Sequence, residues 1–522
     1  MTAEQSVAPA AEAQPVKKKK HTRNALATAK GGGIVASGQL FAYGMRFVLA
    51  YLLARALGAD QYGLYTIALS TATVVAGVAV FGLHTAMVRY VAVFSRKKSE
   101  DELWGLLQFG MGLTLLISTA LAIGLFALSY VVADRIYHRP ELTPLLQVMA
   151  VTVPFMTMGT LLNGATDGFK KMHYGVIAQN MAQTIVRLIL IAIMFVIGMK
   201  AIHAVIIFAI SNVVTTGLLL YFLHREFPLN RSLRIARHNR REILSFSVPV
   251  WISGLLSTFR SNIQTLLLGT YYTAAGVGIF NVVGRVNLVG RMAFNSIGAS
   301  ARPVIAEIDA SGDRKELANI YQTTGRWAFT VNLPIFLVLM IFSEGILAIF
   351  GKDFIAGATA MRILALAELA DVLTGICGVI IDMTGQTRLK VTNSTVQLVL
   401  AIAVNILLIP PFGLLGAAVG AFIVNAVINN LRMIQVWYLY RILPFNRSFI
   451  KPLAAGLAAA AAALLSLQLG GGELSLLLLI VQVAVLFAVY AVVIYLLGLP
   501  TEERVVINRL WAKVRRGRLR NA

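Results

Sequence analysis

The sequence predicts an all-α, polytopic membrane fold with about fourteen transmembrane helices. Three observations predict it. The 522 residues are 58% hydrophobic and only 13% charged, with a mean hydropathy of +0.75; a water-soluble domain has too little polar residue content here to cover its surface. The apolar residues fall in long continuous runs, each near the ~20 residues a helical crossing needs. Basic residues concentrate in alternate breaks between those runs, as the positive-inside rule requires. Runs of this length, without ten-residue alternation, exclude a β-barrel.

Taken in order, the crossings are expected at 34–57, 62–92, 103–132, 143–166, 174–197, 201–223, 247–269, 275–302, 320–349, 357–383, 392–410, 414–438, 452–469 and 474–497. Residues 1–30, with Lys17, Lys18, Lys19, Lys20, Arg23 and Lys30, read as a disordered basic cytoplasmic tail. Such a tail sets topology or meets anionic lipid heads. Arg46 within the following apolar stretch, and the length of that stretch, argue against a cleaved signal peptide. A six-helix unit at 31–223 leads through a basic cytoplasmic linker, 224–246, into a second unit at 247–441. Two additional helices occupy 450–498, and 499–522 form a second basic cytoplasmic tail.

The formal net charge of +23 invites a nucleic-acid reading, which the distribution of charge removes. Of 46 Lys and Arg, 31 lie in the tails and the breaks expected to be cytoplasmic, four (Arg135, Arg139, Lys200, Lys352) in the opposite breaks, and eleven within spans. Both termini are therefore expected in the cytoplasm, the chain in the cytoplasmic membrane, and no nucleic acid is called for. The breaks at 58–61, 270–274, 411–413 and 470–473 leave no room for an outer catalytic domain. No Gly-x-x-x-x-Gly-Lys-Ser/Thr motif occurs, which argues against ATP-driven transport by this chain. Cys377 is the sole cysteine and the seven histidines are scattered, so neither a disulfide nor a metal cluster is expected; His84 and His203 read as packed or solvated.

Weak internal matches recur at nearly one offset. Gly63 pairs with Gly278, Gly168 with Gly385, Gly198 with Gly413 and, after a four-residue shift, Gly58 with Gly269. An even-numbered duplicated unit repeats in the same orientation, with a cleft between the copies.

The eleven span arginines divide by depth. Arg55, Arg89, Arg302, Arg326, Arg362 and Arg432 lie near span ends, where snorkelling suffices. Arg46, Arg187, Arg260, Arg285 and Arg291 lie deeper, where facing lipid costs ~3 kcal/mol or more each. Ser253, Ser257, Arg260 and Gln264 share one helix face; Asn287, Arg291 and Asn295 share another; Asn281 lies with Arg285, and Gln39 and Tyr43 with Arg46. A hydrated lumen wall explains such stripes, and polar helix–helix packing explains the Ser and Asn but not unpaired Arg. Guanidinium binds phosphate oxygens bidentately, so an anionic cargo is expected. Arg46, Arg260, Arg285 and Arg291 are the candidate head-group contacts, with Arg187 beside them. Gln264, Asn287, Asn295 and Gln39 are candidates for sugar hydroxyls. Glu368 and Asp371, three residues apart in the tenth span, either bind a coupling H+ or Na+ or pair structurally with Arg187 or Arg362. No other cofactor is expected.

Three segments resemble the oligosaccharide/polysaccharide flippase family, the Wzx-like members of the MOP exporter superfamily. One is Leu52-Leu53-Ala54-Arg55-Ala56-Leu57-Gly58 running to Tyr62-Gly63-Leu64-Tyr65. Another is Ile346-Leu347-Ala348-Ile349-Phe350-Gly351 running to Ala358 and Arg362-Ile363-Leu364. The third joins Gly385-Gln386-Thr387-Arg388-Leu389-Lys390 to Leu407-Leu408-Ile409-Pro410-Pro411-Phe412-Gly413 and Gly416-Ala417-Ala418. The resemblance covers about residues 30–440 and rests on turn and packing motifs. It implies a V-shaped bundle of two six-helix lobes working by alternating access. It also implies a polyprenyl-pyrophosphate-linked oligosaccharide as cargo, and membrane lipids and glycan-assembly proteins as partners in polysaccharide or lipopolysaccharide biosynthesis. It implies no enzyme activity. Two other readings stay open on the residues: a lipid II flippase, and a multidrug/cation antiporter of the same superfamily. The antiporter would want acidic residues in its cavity. A membrane glycosyltransferase would need an outer loop or an acidic sugar-nucleotide site, and neither is visible.

Overall fold

A computed structural model of the chain describes residues 14–229, 240–469 and 475–498, with side chains from 44 onward except at 196 and 197. Every regular element among them is helical. The first half comprises α1 (Gln14–Ala79), α2 (Leu83–Lys97), α3 (Glu100–Val131), α4 (Leu142–Gly168), α5 (Met172–Gly175), α6 (Gln183–Ile197) and α7 (Ala201–Glu226). The second comprises α8 (Arg240–Tyr271), α9 (Ala274–Ser311), α10 (Arg314–Ile341), α11 (Ser343–Phe350), α12 (Ala358–Leu373), α13 (Cys377–Met383) and α14 (Thr387–Tyr440). The chain then adds α15 (Ile450–Leu469) and α16 (Leu476–Leu496). Of the expected tails and linker, residues 1–13, 230–239 and 499–522 lie outside the described residues, and from 14 to 43 only the backbone course is given.

Among the described residues, ten helical segments are long and apolar enough to cross a membrane, or eleven with the α12–α13 pair, which bends by 49° around Gly375 at φ 70. Further crossings are folded into the two longest helices, each of which breaks at one glycine. In α14 the break is Gly413, at φ 53 and ψ −124. A Cβ on Gly420 would lie 3.0 Å from Asn405 Oδ1, although those residues would stand ~22 Å apart on a straight helix. The helix therefore doubles back. In α1 the break is Gly58, at φ 70 and ψ 174. Arg46 and Thr73 line one cavity, where a straight helix would separate them by ~40 Å. Counting these reversals, and α9 by its length, about fourteen crossings result.

The repeat glycines sort into two kinds. Gly63 and Gly278 meet each other reciprocally. A Cβ on Gly63 would collide with the Ala274 carbonyl and lie 3.1 Å from Gly278 N; a Cβ on Gly278 would collide with the Ala59 carbonyl and lie 3.0 Å from Gly63 N. Ala59 and Ala274 bear the same offset as the glycines, so the contact has the self-complementary form of a twofold interface. It lies within the pairing of α1 with α9, the most extensive between helices. Gly198 and Gly413 both turn the chain, at φ 93 and φ 53. The other two pairs differ in role: Gly58 turns the chain while Gly269 packs on Ile67 and Tyr137, and Gly385 turns it while Gly168 packs on Val91 and Met87.

Helix starts are set locally. Asp313 accepts from the N–H groups of Lys315 and Glu316, and Thr273 from that of Gly276, satisfying otherwise orphaned first-turn donors. The interior is apolar and close-packed around Tyr62, Ile67, Val277, Val283 and Phe336. Leu116, Ile123, Phe126, Ile189 and Ile193 are exposed, as side chains solvated by lipid would be. α15 and α16 pack on α10 and α11: Tyr490 Oη donates to Thr330 O at 2.8 Å, and Leu479 fits over Gly345. Their outer faces, including Leu464, Leu477 and Tyr495, stay exposed.

Candidate functional site

Three neighbouring cavities, sharing lining residues, lie within the two halves. The first, about 530 Å³, lies in the N-terminal half and carries Arg46, Arg187 and Arg285 among its walls, with no Asp or Glu among the described lining residues. Arg46 and Arg187 are held by neutral groups. Arg46, on the first arm of α1, donates from Nη2 to Asn180 Oδ1 at 3.3 Å. Asn180 sits in the widened π-helical turn Val176–Ala182 that joins α5 to α6; such an inserted residue re-aims side chains toward a site. Arg187 of α6 donates from Nε to Ser211 Oγ at 2.8 Å and lies 4.5 Å over the Phe208 ring, a cation–π contact. Arg285 of α9 shares the wall with Tyr62 and Tyr65, and its buried Nε has no partner among the described residues.

Arg285 also lines the second cavity, about 630 Å³, with Arg260, Arg291, Gln264, Asn287, Gln397 and Asn405. Gln264 Nε2 donates to Ala417 O at 3.2 Å. Asn287 is buried, and its Nδ2 donates to Val283 O on its own helix at 3.0 Å. Arg260 and Arg291 continue into the third cavity, about 500 Å³, which adds Arg302, Lys390 and Arg432 together with Asp371 and Asp382. Arginines thus form a chain through all three.

Several sequence expectations need correction. Arg291 does not stand among neutral groups alone: Nη1 meets Glu368 Oε1 at 3.1 Å and Nη2 meets Asp371 Oδ2 at 3.0 Å. Glu368 and Asp371 therefore pair with Arg291, not with Arg187 or Arg362. Arg362 instead takes Glu344 at 2.8 Å. The spacing of three on α12 turns both carboxylates to one face, and only the packing of α12 on α9 decides which cation they meet. Asn295 is exposed and lines none of the cavities described. Gln39 falls where side chains are outside the described residues. His84 Nδ1 contacts Thr160 O at 3.1 Å, and the Lys200 N–H donates to His203 Nδ1 at 3.1 Å; both are packing roles.

Sequence reasoning missed Tyr62, Tyr65, Gln397, Asn405 and Arg432. The two tyrosines belong to a stretch read as a turn motif. Arg432 was assigned to a helix end, but α14 runs on to Tyr440, leaving Arg432 ~12 Å inside it.

A family model described as polysaccharide biosynthesis protein matches residues 28–309, and one described as MatE matches 249–407. The chain is similar to the probable low-salt glycan biosynthesis flippase Agl15 of Haloferax volcanii, 23% identical over 195 residues, which are 37% of this chain and 41% of that protein. It is 24% identical over 203 residues to the capsular polysaccharide biosynthesis protein CapF of Staphylococcus aureus, covering 38% and 50%. These matches span half of each relative or less. An uncharacterized membrane protein of Methanocaldococcus jannaschii is 23% identical over 454 residues, 81% of this chain and 87% of that one. Among solved structures, the lipid II flippase MurJ in an inward closed conformation aligns with TM-score 0.70 at 15% identity, covering 88% and 97%. An inward-facing multidrug resistance MATE family transporter of the MOP superfamily aligns with TM-score 0.65 at 16% identity, covering 77% and 94%. The chain thus shares the fold of these two transporters.

Proposed function

The chain belongs to the polysaccharide biosynthesis protein family, and from that premise we propose that it is a flippase. Its cargo is a polyprenyl-pyrophosphate-linked oligosaccharide, moved from the inner to the outer leaflet of the cytoplasmic membrane by alternating access between two lobes. One observation carries this reading: Arg46, Arg187, Arg285 and Arg260 line neighbouring cavities inside the bundle and make no ion pair with a carboxylate among the described residues, Glu368 on the same wall being taken by Arg291. At ~4 Å, each guanidinium attracts one unit of anionic charge by ~4 kcal/mol at an effective dielectric of 20. Several together offset the dehydration of a pyrophosphate. Arginine suits this better than lysine because it is less strongly hydrated and grips oxyanions with two parallel N–H groups. Gln264 and Asn425 offer amides to sugar hydroxyls on the wall between, Asn405 behind them accepting from Gln264. The prenyl chain stays in lipid, where its transfer costs nothing. Both termini lie in the cytoplasm on this reading, from the placement of the basic residues.

The similarity in fold to MurJ supports a second cargo of the same chemistry, lipid II. A cation antiporter is disfavoured, because a cation would meet the same arginines. The engagement of Glu368 and Asp371 by Arg291 favours a structural role for these carboxylates over H+ or Na+ coupling.

The test is complementation. Arg46, Arg187, Arg260 and Arg285 are changed singly to Ala, and surface glycan is measured in a host lacking its oligosaccharide flippase. Loss of export at wild-type protein abundance is expected. Full export by all four variants refutes the cationic path, and rescue of a host depleted of its lipid II flippase, but not of the glycan host, selects the second cargo.

A further inference from the structure

We propose that Arg260, Arg432 and Gln397 form a second anion-binding subsite, in the C-terminal half and separate from the Arg46–Arg187–Arg285 cluster, that takes an oxyanion such as a phosphate or a sugar carboxylate. The inference rests on the flippase reading and assigns to it two residues, Gln397 and Arg432, for which that reading has no role.

Arg260 comes from α8, while Gln397 and Arg432 come from the two arms of α14. Arg260 Nη1 donates to Gln397 Oε1 at 3.2 Å, and Arg432 Nη2 donates to the same oxygen at 3.3 Å. Two full cations thus converge on one neutral oxygen, with their nitrogens no more than ~6.5 Å apart, a separation at which like charges repel strongly away from bulk water. Arg432 Nη1 adds only a long bond to Asn429 Oδ1, 3.4 Å. Each guanidinium has five N–H groups, so most of their donor capacity is unspent.

Nearby carboxylates neutralise the pair only in part, Asp371 lying within electrostatic reach of Arg432 while bonded elsewhere. Asp371 is engaged by Arg291 at 3.0 Å, and Asp382 by Lys390 at 3.1 Å. Arg302 lines the same cavity and adds to the positive excess. The cavity, about 500 Å³, is of a size that holds small ligands. Ser253, Ser257, Ser394 and Thr395 supply hydroxyls around it. An oxyanion seated between the two guanidinia would take their free N–H groups in parallel pairs and relieve their repulsion; a neutral sugar would do neither.

The second cavity has a member of each cationic site in its wall, Arg285 of one and Arg260 of the other. A cargo can therefore hold both at once through two anionic groups, or pass one pyrophosphate from one site to the other. Both uses need the same chemistry at Arg260 and Arg432.

The experiment titrates purified full-length protein in detergent micelles at low ionic strength, by calorimetry, first with inorganic pyrophosphate and then with trigalacturonate. Wild type is expected to bind two equivalents of pyrophosphate. Arg432→Gln is expected to bind one, and Arg187→Gln to lose the other. Gln397→Leu keeps both charges and removes their bridge; it is expected to weaken the second equivalent at least tenfold. Trigalacturonate displaced by Arg432→Gln but not by Arg187→Gln assigns the subsite to a sugar carboxylate, and binding of pyrophosphate alone assigns it to phosphate. A single equivalent in wild type that only Arg187→Gln removes overturns the subsite and leaves the flippase reading standing, as does retention of two equivalents by correctly assembled Arg432→Gln and Gln397→Leu. Failure of wild type to bind either probe overturns both.

Discussion

Replacing Gly63 by Ala should open the end of the bundle at which the two lobes meet. The added Cβ would enter the space of the Ala274 carbonyl and lie 3.1 Å from Gly278 N. Both obstacles are backbone, so no rotamer change relieves them; α1 and α9 must part. Overpacking of this kind costs ~1–3 kcal/mol, and it is charged only to the arrangement in which the helices touch. A central ~2 kcal/mol shifts the balance towards the parted arrangement ~30-fold. Leu69, on the same arm of α1 as Gly63, lines the first cavity. In a Cys377→Ala background, Leu69→Cys is labelled on intact cells with a membrane-impermeant maleimide. The labelling rate should rise at least tenfold when Gly63→Ala is added, and Gly278→Ala should act alike because it meets the Ala59 carbonyl. An unchanged rate in both variants at wild-type abundance would refute the idea that this glycine pair closes the cavity.

Arg187→Ala should cut glycan export at least tenfold and Arg187→Lys nearly as much, since the Phe208 stacking and the Ser211 bond both use the planar guanidinium; surface glycan per molecule of protein is the readout. The double variant Glu368→Gln, Asp371→Asn should lower stability by ~2 kcal/mol, below the ~3–5 kcal/mol of a fully buried broken pair because the Arg291 side chain retains 33% exposure. Adding Arg291→Met should recover most of the loss in a thermal melt, and no recovery would mean the triad is not the source. Gly413→Ala should destabilise the α14 reversal by ~1–2 kcal/mol from left-handed backbone alone, and by more because Tyr272 packs on that position; a combined Tyr272→Ala should restore part of the melting temperature. Cells producing the protein should export a cationic dye no faster than controls, and accelerated efflux would favour the antiporter.

Much of the fold was legible because a bilayer imposes a length on apolar runs and a sign on the loops between them. The reversals at Gly58, Gly198 and Gly413 were legible because a positive φ selects glycine. The glycine pair at 63 and 278 could be matched along the chain, but its purpose could not be read there, since the two residues meet only when the halves fold together. Deep arginines were recognisable by their cost in lipid. The partners of those arginines were not: Arg291 meets carboxylates 77 and 80 positions away, and periodicity reports faces of one helix, not the facing helix.

By itself the sequence determined an all-helical bundle of about fourteen crossings, the arginines that fall deep in its spans and the glycines at its turns, because lipid solvation and local backbone sterics act on short stretches of chain. Only the tertiary structure decided which guanidinia meet a carboxylate among the described residues. The pairing of Arg291 with α12, the convergence of Arg260 and Arg432 on Gln397 and the sharing of Arg285 and Arg260 between neighbouring cavities all depend on which helices pack side by side. Electrostatic pairing is settled by distances of ~3 Å across helices, and no spacing along one helix encodes them.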